Sequence, residues 1–190
     1  MTPVQVTFIG GDVGQWTVDR IVAVASRRLD PAARVAVYEG DVKAGSAAPT
    51  SAWVLRGTTG PDNYATSGER SALDAIAAPL GRPSATTAVL IPIRKTAAWW
   101  DLTQEERRAI FEERSHHMAR SLPYLPRIAR RLHHSRQLGE PFDFLTWFEF
   151  APADSSAFDE LLGVLRSTEE WTYVEREVEI RLTRRSEPAR

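Results

Sequence analysis

The sequence predicts an α+β fold built from tandem ferredoxin-like units, and three observations carry that prediction. Residues 86–93 form a β-branched apolar run. Residues 142–150 alternate strictly, with Phe142, Phe144, Thr146, Phe148 and Phe150 on one face and Asp143, Leu145, Trp147 and Glu149 on the other. Phe158, Leu161, Leu162 and Leu165 recur at i, i+3, i+4 and i+7, the apolar stripe of a helix over 156–166.

The remaining elements follow in order. Residues 4–10 read as a strand, 18–28 as a helix, 34–38 and 52–57 as strands, and 69–78 as a helix, with surface loops at 45–51 and 58–67. A Gly/Pro/Ser cluster at Gly81-Arg-Pro-Ser84 marks a boundary, giving an N-terminal subdomain over 1–84 and a C-terminal one over 85–190. After the strand at 86–93, Thr103 and Glu106 have capping-box spacing and predict a helix over 104–121. Pro123 and Pro126 forbid its continuation, so 128–135 runs extended. In the last strand Val174, Val178, Ile180 and Leu182 alternate with Tyr173, Glu175, Glu177 and Glu179. The C-terminal order is βαββαβ, the split βαβ arrangement, and the N-terminal half has a looser version of it.

Composition excludes several classes of function. The 190 residues are 43% hydrophobic, enough for a substantial core, and the net charge of −1 argues against general nucleic-acid binding. Arg127, Arg130, Arg131 and Arg136 lie near His133-His134, but on a strand half of them face the opposite way, which disfavours an RNA surface. With no cysteine, disulfides, thiolate metal sites and thiol catalysis are excluded. No stretch resembles a signal peptide or approaches the roughly 20 apolar residues of a membrane helix, so a soluble cytoplasmic protein is expected.

Three side chains stand out. Arg130 shares a face with Ile128, Leu132 and His134 and so points inward, where a guanidinium needs an anionic partner. Glu149 is one candidate and an anionic substrate is the other. On a continuous 104–121 helix, His117 lies at the edge of the face carrying Phe111 and Met118, with His116 on the far side. Adjacent histidines face different ways, so neither His116-His117 nor His133-His134 chelates one ion easily. Lys95 is one of only two lysines in a chain that otherwise uses arginine, and it precedes the Trp99-Trp100 pair. A surface lysine and a plain tryptophan core are the ordinary explanations.

Taken in order, Ile91-Pro-Ile-Arg-Lys-Thr-Ala-Ala-Trp-Trp100, Gln104-Glu-Glu-Arg-Arg-Ala-Ile-Phe111, Ser115-His-His117, Ile128-Ala-Arg-Arg-Leu-His-His134 and Phe142-Asp-Phe-Leu-Thr-Trp-Phe-Glu149 closely resemble the chlorite dismutase family. A fainter likeness covers Thr7-Phe-Ile-Gly-Gly-Asp12. The chain's shortness resembles the compact, typically dimeric lineage. The resemblance implies tandem ferredoxin-like repeats closed into an α+β barrel, of the dimeric α+β barrel superfamily, with one haem b in the C-terminal half. It implies His117 as the proximal iron ligand, Glu170 as acceptor of that ligand's other ring N–H, and Lys95 as the partner of Glu170. Trp99 would pack beside the haem, Arg130 would be the distal arginine, and Leu132, Thr146 and Phe148 would form the distal wall. Ala77 falls where several short members carry a glutamine near that arginine. The activity implied is decomposition of the small anion chlorite to chloride and dioxygen by a homodimer. Coproheme decarboxylation, for which relatives use a tyrosine and usually lack the distal arginine, is an alternative on the same scaffold. So is a weakly peroxidatic haem protein, and a cofactor-free ferredoxin-like binding module is a third.

Overall fold

The computed structural model describes residues 3–40, 51–60 and 64–184. Its frame is eight strands, β1 (Gln5–Gly11), β2 (Trp16–Ala25), β3 (Arg34–Glu39), β4 (Trp53–Thr59), β5 (Thr87–Lys95), β6 (Ala129–His134), β7 (Phe144–Phe150) and β8 (Val174–Arg184). They close into an antiparallel barrel in the order β1-β3-β2-β8-β5-β7-β6-β4. Each strand has a neighbour on both sides, with the β2–β3 and β4–β6 seams only two residue pairs long, and closure joins the two halves of the chain through β2–β8 and β4–β6 pairing. The α+β barrel expected from the sequence is thus the observed fold. No described helix is long and apolar enough to cross a membrane.

One predicted element has the wrong type. Residues 18–28 were expected as a helix, whereas 16–25 form β2, which pairs along most of its length with β8. Thr17, Val18, Ile21, Val22 and Val24 are β-branched and suit a pleated strand, and the ladder to β8 overrides the apparent helical spacing. The expected loop at 58–67 is shorter, because β4 runs through Thr59 and α1 (Ser67–Ile76) begins at Ser67; residues 61–63 lie outside the described residues. Of the loop expected at 45–51, residues 45–50 lie outside them too.

The C-terminal half keeps its βαββαβ order, with the first helix subdivided. Between β5 and β6 come α2 (Ala97–Asp101), α3 (Gln104–Arg108), a π-helical turn (Ala109–Arg114) and α4 (His117–Ser121). The capping box is present as expected: Thr103 N donates to Glu106 Oε2 at 2.7 Å and Glu106 N to Thr103 Oγ1 at 3.2 Å. The continuous helix over 104–121 is not. Ser115 N reaches back to Ile110 O, and His116 takes a left-handed conformation (φ 52°) that ends the helix before α4 starts.

Two apolar layers divide at the barrel wall. Inside lie Phe8, Trp16, Trp53, Leu90, Leu145, Trp147, Ile180 and Leu182. Gly10 is required here, since a Cβ would sit 2.1 Å from the Trp53 ring. Phe142 joins this interior cluster instead of sharing a face with Phe144, because β7 begins only at Phe144. Outside, Phe158, Leu161, Leu162 and Leu165 of α5 (Ser155–Arg166) pack on Val89, Ile91, Phe148 and Phe150 of β5 and β7.

His133 is the one histidine that points into the barrel. Its Nδ1 lies 2.9 Å from Leu145 O, and its ring meets Phe8 edge-on at 5.3 Å. Burial pushes the imidazole down to about 4, against the opposing hydrogen bond to Leu145. The unfolded chain, with an ordinary value near 6.5, binds the extra proton first, so stability is intact above about pH 6.5 and is lost as pH falls toward about 4. The expected loss is about 3 kcal/mol over that window, at roughly 1.4 kcal/mol per pH unit. Urea unfolding between pH 7 and 5 tests this, because most carboxylates are still ionised there; His133→Gln should flatten the slope, and an unchanged slope would remove His133 as its cause.

Candidate functional site

A pocket opens between the outer face of the barrel and the helical segments that cover it. Strand alternation builds the barrel side. Arg130 pairs in register with Phe148 and Leu132 with Thr146, so one period-two face presents all four. All four line the pocket, with Ile91, Ile93 and Phe144 beside them and Leu161, Leu162 and Leu165 of α5 closing it.

His117, at the start of α4, lines the pocket from the helical segments, its ring stacked on Phe111 at 4.4 Å and parallel to Trp171 at 6.5 Å. Behind it is a chain of buried charge. Nδ1 of His117 lies 2.7 Å from Glu170 Oε2, and Lys95 Nζ donates to Glu170 Oε1 at 2.8 Å. Glu170 is placed by a 3₁₀ turn (Glu169–Tyr173) whose Glu170 N donates to Ser115 Oγ. Lys95 ends β5, its backbone N–H donating to Asp143 Oδ2 at 2.7 Å and its ammonium sitting 4.6 Å from the Trp99 ring centroid. Burial alone would push the Glu170 carboxyl up. The Lys95 charge, with His117's charge and hydrogen bonds from both, reverses this and holds it at about 2. The carboxylate is therefore ionised and fixes the imidazole with Nδ1 toward Glu170, leaving Nε2 as the ring nitrogen available to a metal.

The structure thus brings Lys95, Trp99, His117, Arg130, Leu132, Thr146, Phe148 and Glu170 onto one pocket. Two readings are corrected. Glu149 is not placed to meet Arg130: it faces the other way, accepting from Gly81 N and Trp147 Nε1 and lying 3.4 Å from Arg184. His117 is not on the edge of a long helix but on the first residue of a new one. Ala77 is the exposed C-cap of α1 and does not line the pocket.

Several residues in or behind the pocket escaped the sequence reading. Ser115 and Asp143 act through hydrogen bonds between distant segments, which leave no periodic signal. Tyr64 lies in a loop and packs on Trp99 and Phe111, and burial pushes its phenol up. Trp171 follows Glu170 directly but belongs to no repeating pattern.

The donor set fits a prosthetic group better than a bare ion. Among the described residues no three His, Asp or Glu side chains converge on one metal position, so a metal held at His117 would need its remaining ligands from a bound group, such as a flat, largely apolar ring system. The walls of leucine, isoleucine and aromatic side chains suit such a ring.

Comparison with known proteins gives a consistent result. The family described as chlorite dismutase matches residues 34–186. The solved structure of a dimeric chlorite dismutase from Nitrobacter winogradskyi shares 52% identity, with a TM-score of 0.87 over 95% of this chain and 99% of that one. A variant chlorite dismutase from Candidatus Nitrospira defluvii, at 22% identity and a TM-score of 0.65, covers 95% of this chain and 91% of its own and shares the fold. The chlorite dismutase of Ideonella dechloratans is 38% identical over 86 residues, which spans 45% of this chain but only 28% of that protein's length.

The buried pair yields a direct test. Lys95→Met leaves the Glu170 carboxylate without its ammonium partner and should destabilise the cofactor-free protein by about 3–5 kcal/mol. Adding Glu170→Gln should recover a large part of the loss; urea denaturation of the two variants measures both.

Proposed function

The chain belongs to the chlorite dismutase family, and from that premise we propose that it is a homodimeric haem b enzyme that decomposes chlorite to chloride and dioxygen, forming the O–O bond. The observation that carries the reading is the joint presence, in one apolar pocket, of an imidazole backed by an ionised carboxylate and of an arginine on the outer face of the barrel wall. The dimer is proposed by analogy with the dimeric protein from Nitrobacter winogradskyi.

Within this proposal each residue has a defined task. Glu170 holds the proton on Nδ1 of His117, and Lys95 keeps Glu170 charged, so Nε2 stays free to bind iron and gains basicity. Haem b, when bound, would supply the oxygen-atom chemistry with chlorite. Arg130 binds the anion and keeps the chlorine-containing fragment near the reacting oxygen, favouring recombination over escape. Leu132 and Phe148 exclude water beside it, and Thr146 completes the same face. No general base is needed, because chlorite is already an anion at neutral pH.

A second reading, coproheme decarboxylation, draws on one observation: Tyr64 lines the pocket and could serve as the tyrosine that such chemistry uses. The two separate in a Clark-type electrode. Haem-loaded protein given chlorite should release one dioxygen and one chloride per chlorite. Arg130→Ala should lower kcat/KM about 10²–10³-fold, with faster haem bleaching by escaping oxidant, whereas His117→Ala should lose the haem itself. Bound haem without oxygen release would reject the chlorite reading and favour the second.

A further inference from the structure

The backbone changes course just before His117. The turn at Ala109–Arg114 is π-wound, Ser115 N donates to Ile110 O at 3.1 Å, and His116 sits in the left-handed region at φ 52° and ψ 40°. Because α4 starts afresh at His117, the N–H groups of its first turn have no helical acceptors behind them. The His116 side chain caps none of them.

Glu112 takes that place from the preceding turn. Its Oε2 accepts from Met118 N at 2.7 Å and its Oε1 from Ala119 N at 3.2 Å. Its backbone carbonyl accepts from His116 N at 3.0 Å. A single residue therefore grips both sides of the break, and the two bonds from its carboxylate are of the stronger, charge-assisted kind. On the far side of His117, Ser121 Oγ donates to His117 O at 2.7 Å. The ring is then left to reach Glu170 at 2.7 Å from a fixed start. Glu112 does not line the pocket, and neither the haem nor the substrate is within its role.

We infer that Glu112 is a positioning residue for His117: its carboxylate fixes the first turn of α4 and so sets the aim of the imidazole between Glu170 and the pocket. The inference rests on the proposal that His117 holds the haem iron and extends it to a residue outside the pocket. A site of this kind works only when its supporting contacts hold the ligand to within a fraction of an ångström. Losing two bonds to the ligand's own helical turn loosens that hold.

The test compares Glu112→Ala and Glu112→Gln with Thr103→Ala, which removes a cap of similar kind from α3. In cofactor-free protein with labelled histidine, NMR reads the downfield His117 Nδ1 proton shared with Glu170; in loaded protein, transfer to apomyoglobin reads haem loss. Glu112→Ala should shift or broaden that resonance and speed haem loss by about tenfold. Glu112→Gln, which keeps one acceptor oxygen, should fall between it and the parent and carries the test if the alanine variant does not fold. Thr103→Ala should lower Tm while leaving both readouts as in the parent. A Glu112 variant that lowers Tm yet leaves the resonance and haem loss unchanged would make Glu112 a helix cap and nothing more. If the parent protein binds no haem, the proposed function falls, while the resonance still decides the role of Glu112.

Discussion

Glu170 is a carboxylate with 6% exposure, and burying such a charge is tolerable only if partners meet both of its oxygens. Lys95 meets one and His117 the other, and Ser115 receives the backbone N–H that turns the residue inward. Each partner comes from a different segment. Lys95 arrives at the end of a barrel strand, His117 at the start of a short helix, and Ser115 from the break between helices. The charge therefore ties the helical cover to the barrel at the point where the pocket needs a directed imidazole. Asp143 extends the same tie by accepting from Lys95 N and Trp100 Nε1.

The barrel supplies the complementary constraint. On β6 and β7 one face must fill the interior with Leu145 and Trp147, which leaves Arg130, Leu132, Thr146 and Phe148 on the other face. A one-residue slip would exchange those sets completely. The interior packing of tryptophan and leucine thus fixes which residues the pocket sees, although none of those interior residues touches it. Glu149 follows the same rule, pairing with Trp147 Nε1 and lying near Arg184 rather than approaching Arg130.

Period-two and period-3.6 patterns made most of this legible in the sequence, since they depend on neighbours along the chain. The faces of β6 and β7, the stripe of α5 and the Thr103 capping box all belong to that kind. Lys95, Trp99, Glu170 and the choice of His117 over His116 came from likeness to a family, because their meeting depends on contacts across 53 and 75 residues of sequence. What escaped was set by tertiary pairing. The 16–25 segment carries apolar residues at spacings that fit either a helix or a strand, and only the ladder to β8 decides. The break at His116 also escaped, because residues 104–121 contain neither glycine nor proline to announce it.

That break explains a group of polar residues that a continuous helix would not need. A regular helix satisfies its interior N–H and C=O groups internally, whereas a π turn followed by a left-handed residue leaves several to be met by side chains. Glu112 accepts from Met118 N and Ala119 N, and Ser121 donates to His117 O. Ser115, at the same break, closes the π turn with its backbone N–H and takes the N–H of Glu170 with its hydroxyl. On an unbroken helix His117 would sit at the edge of an apolar face, where its direction would follow whatever packed beside it. Starting a new turn at His117 makes its direction depend on hydrogen bonds, which are more specific in angle than apolar contact. The irregular backbone and the polar residues around it are thus one device, and it acts on the same imidazole that Glu170 holds from the opposite end.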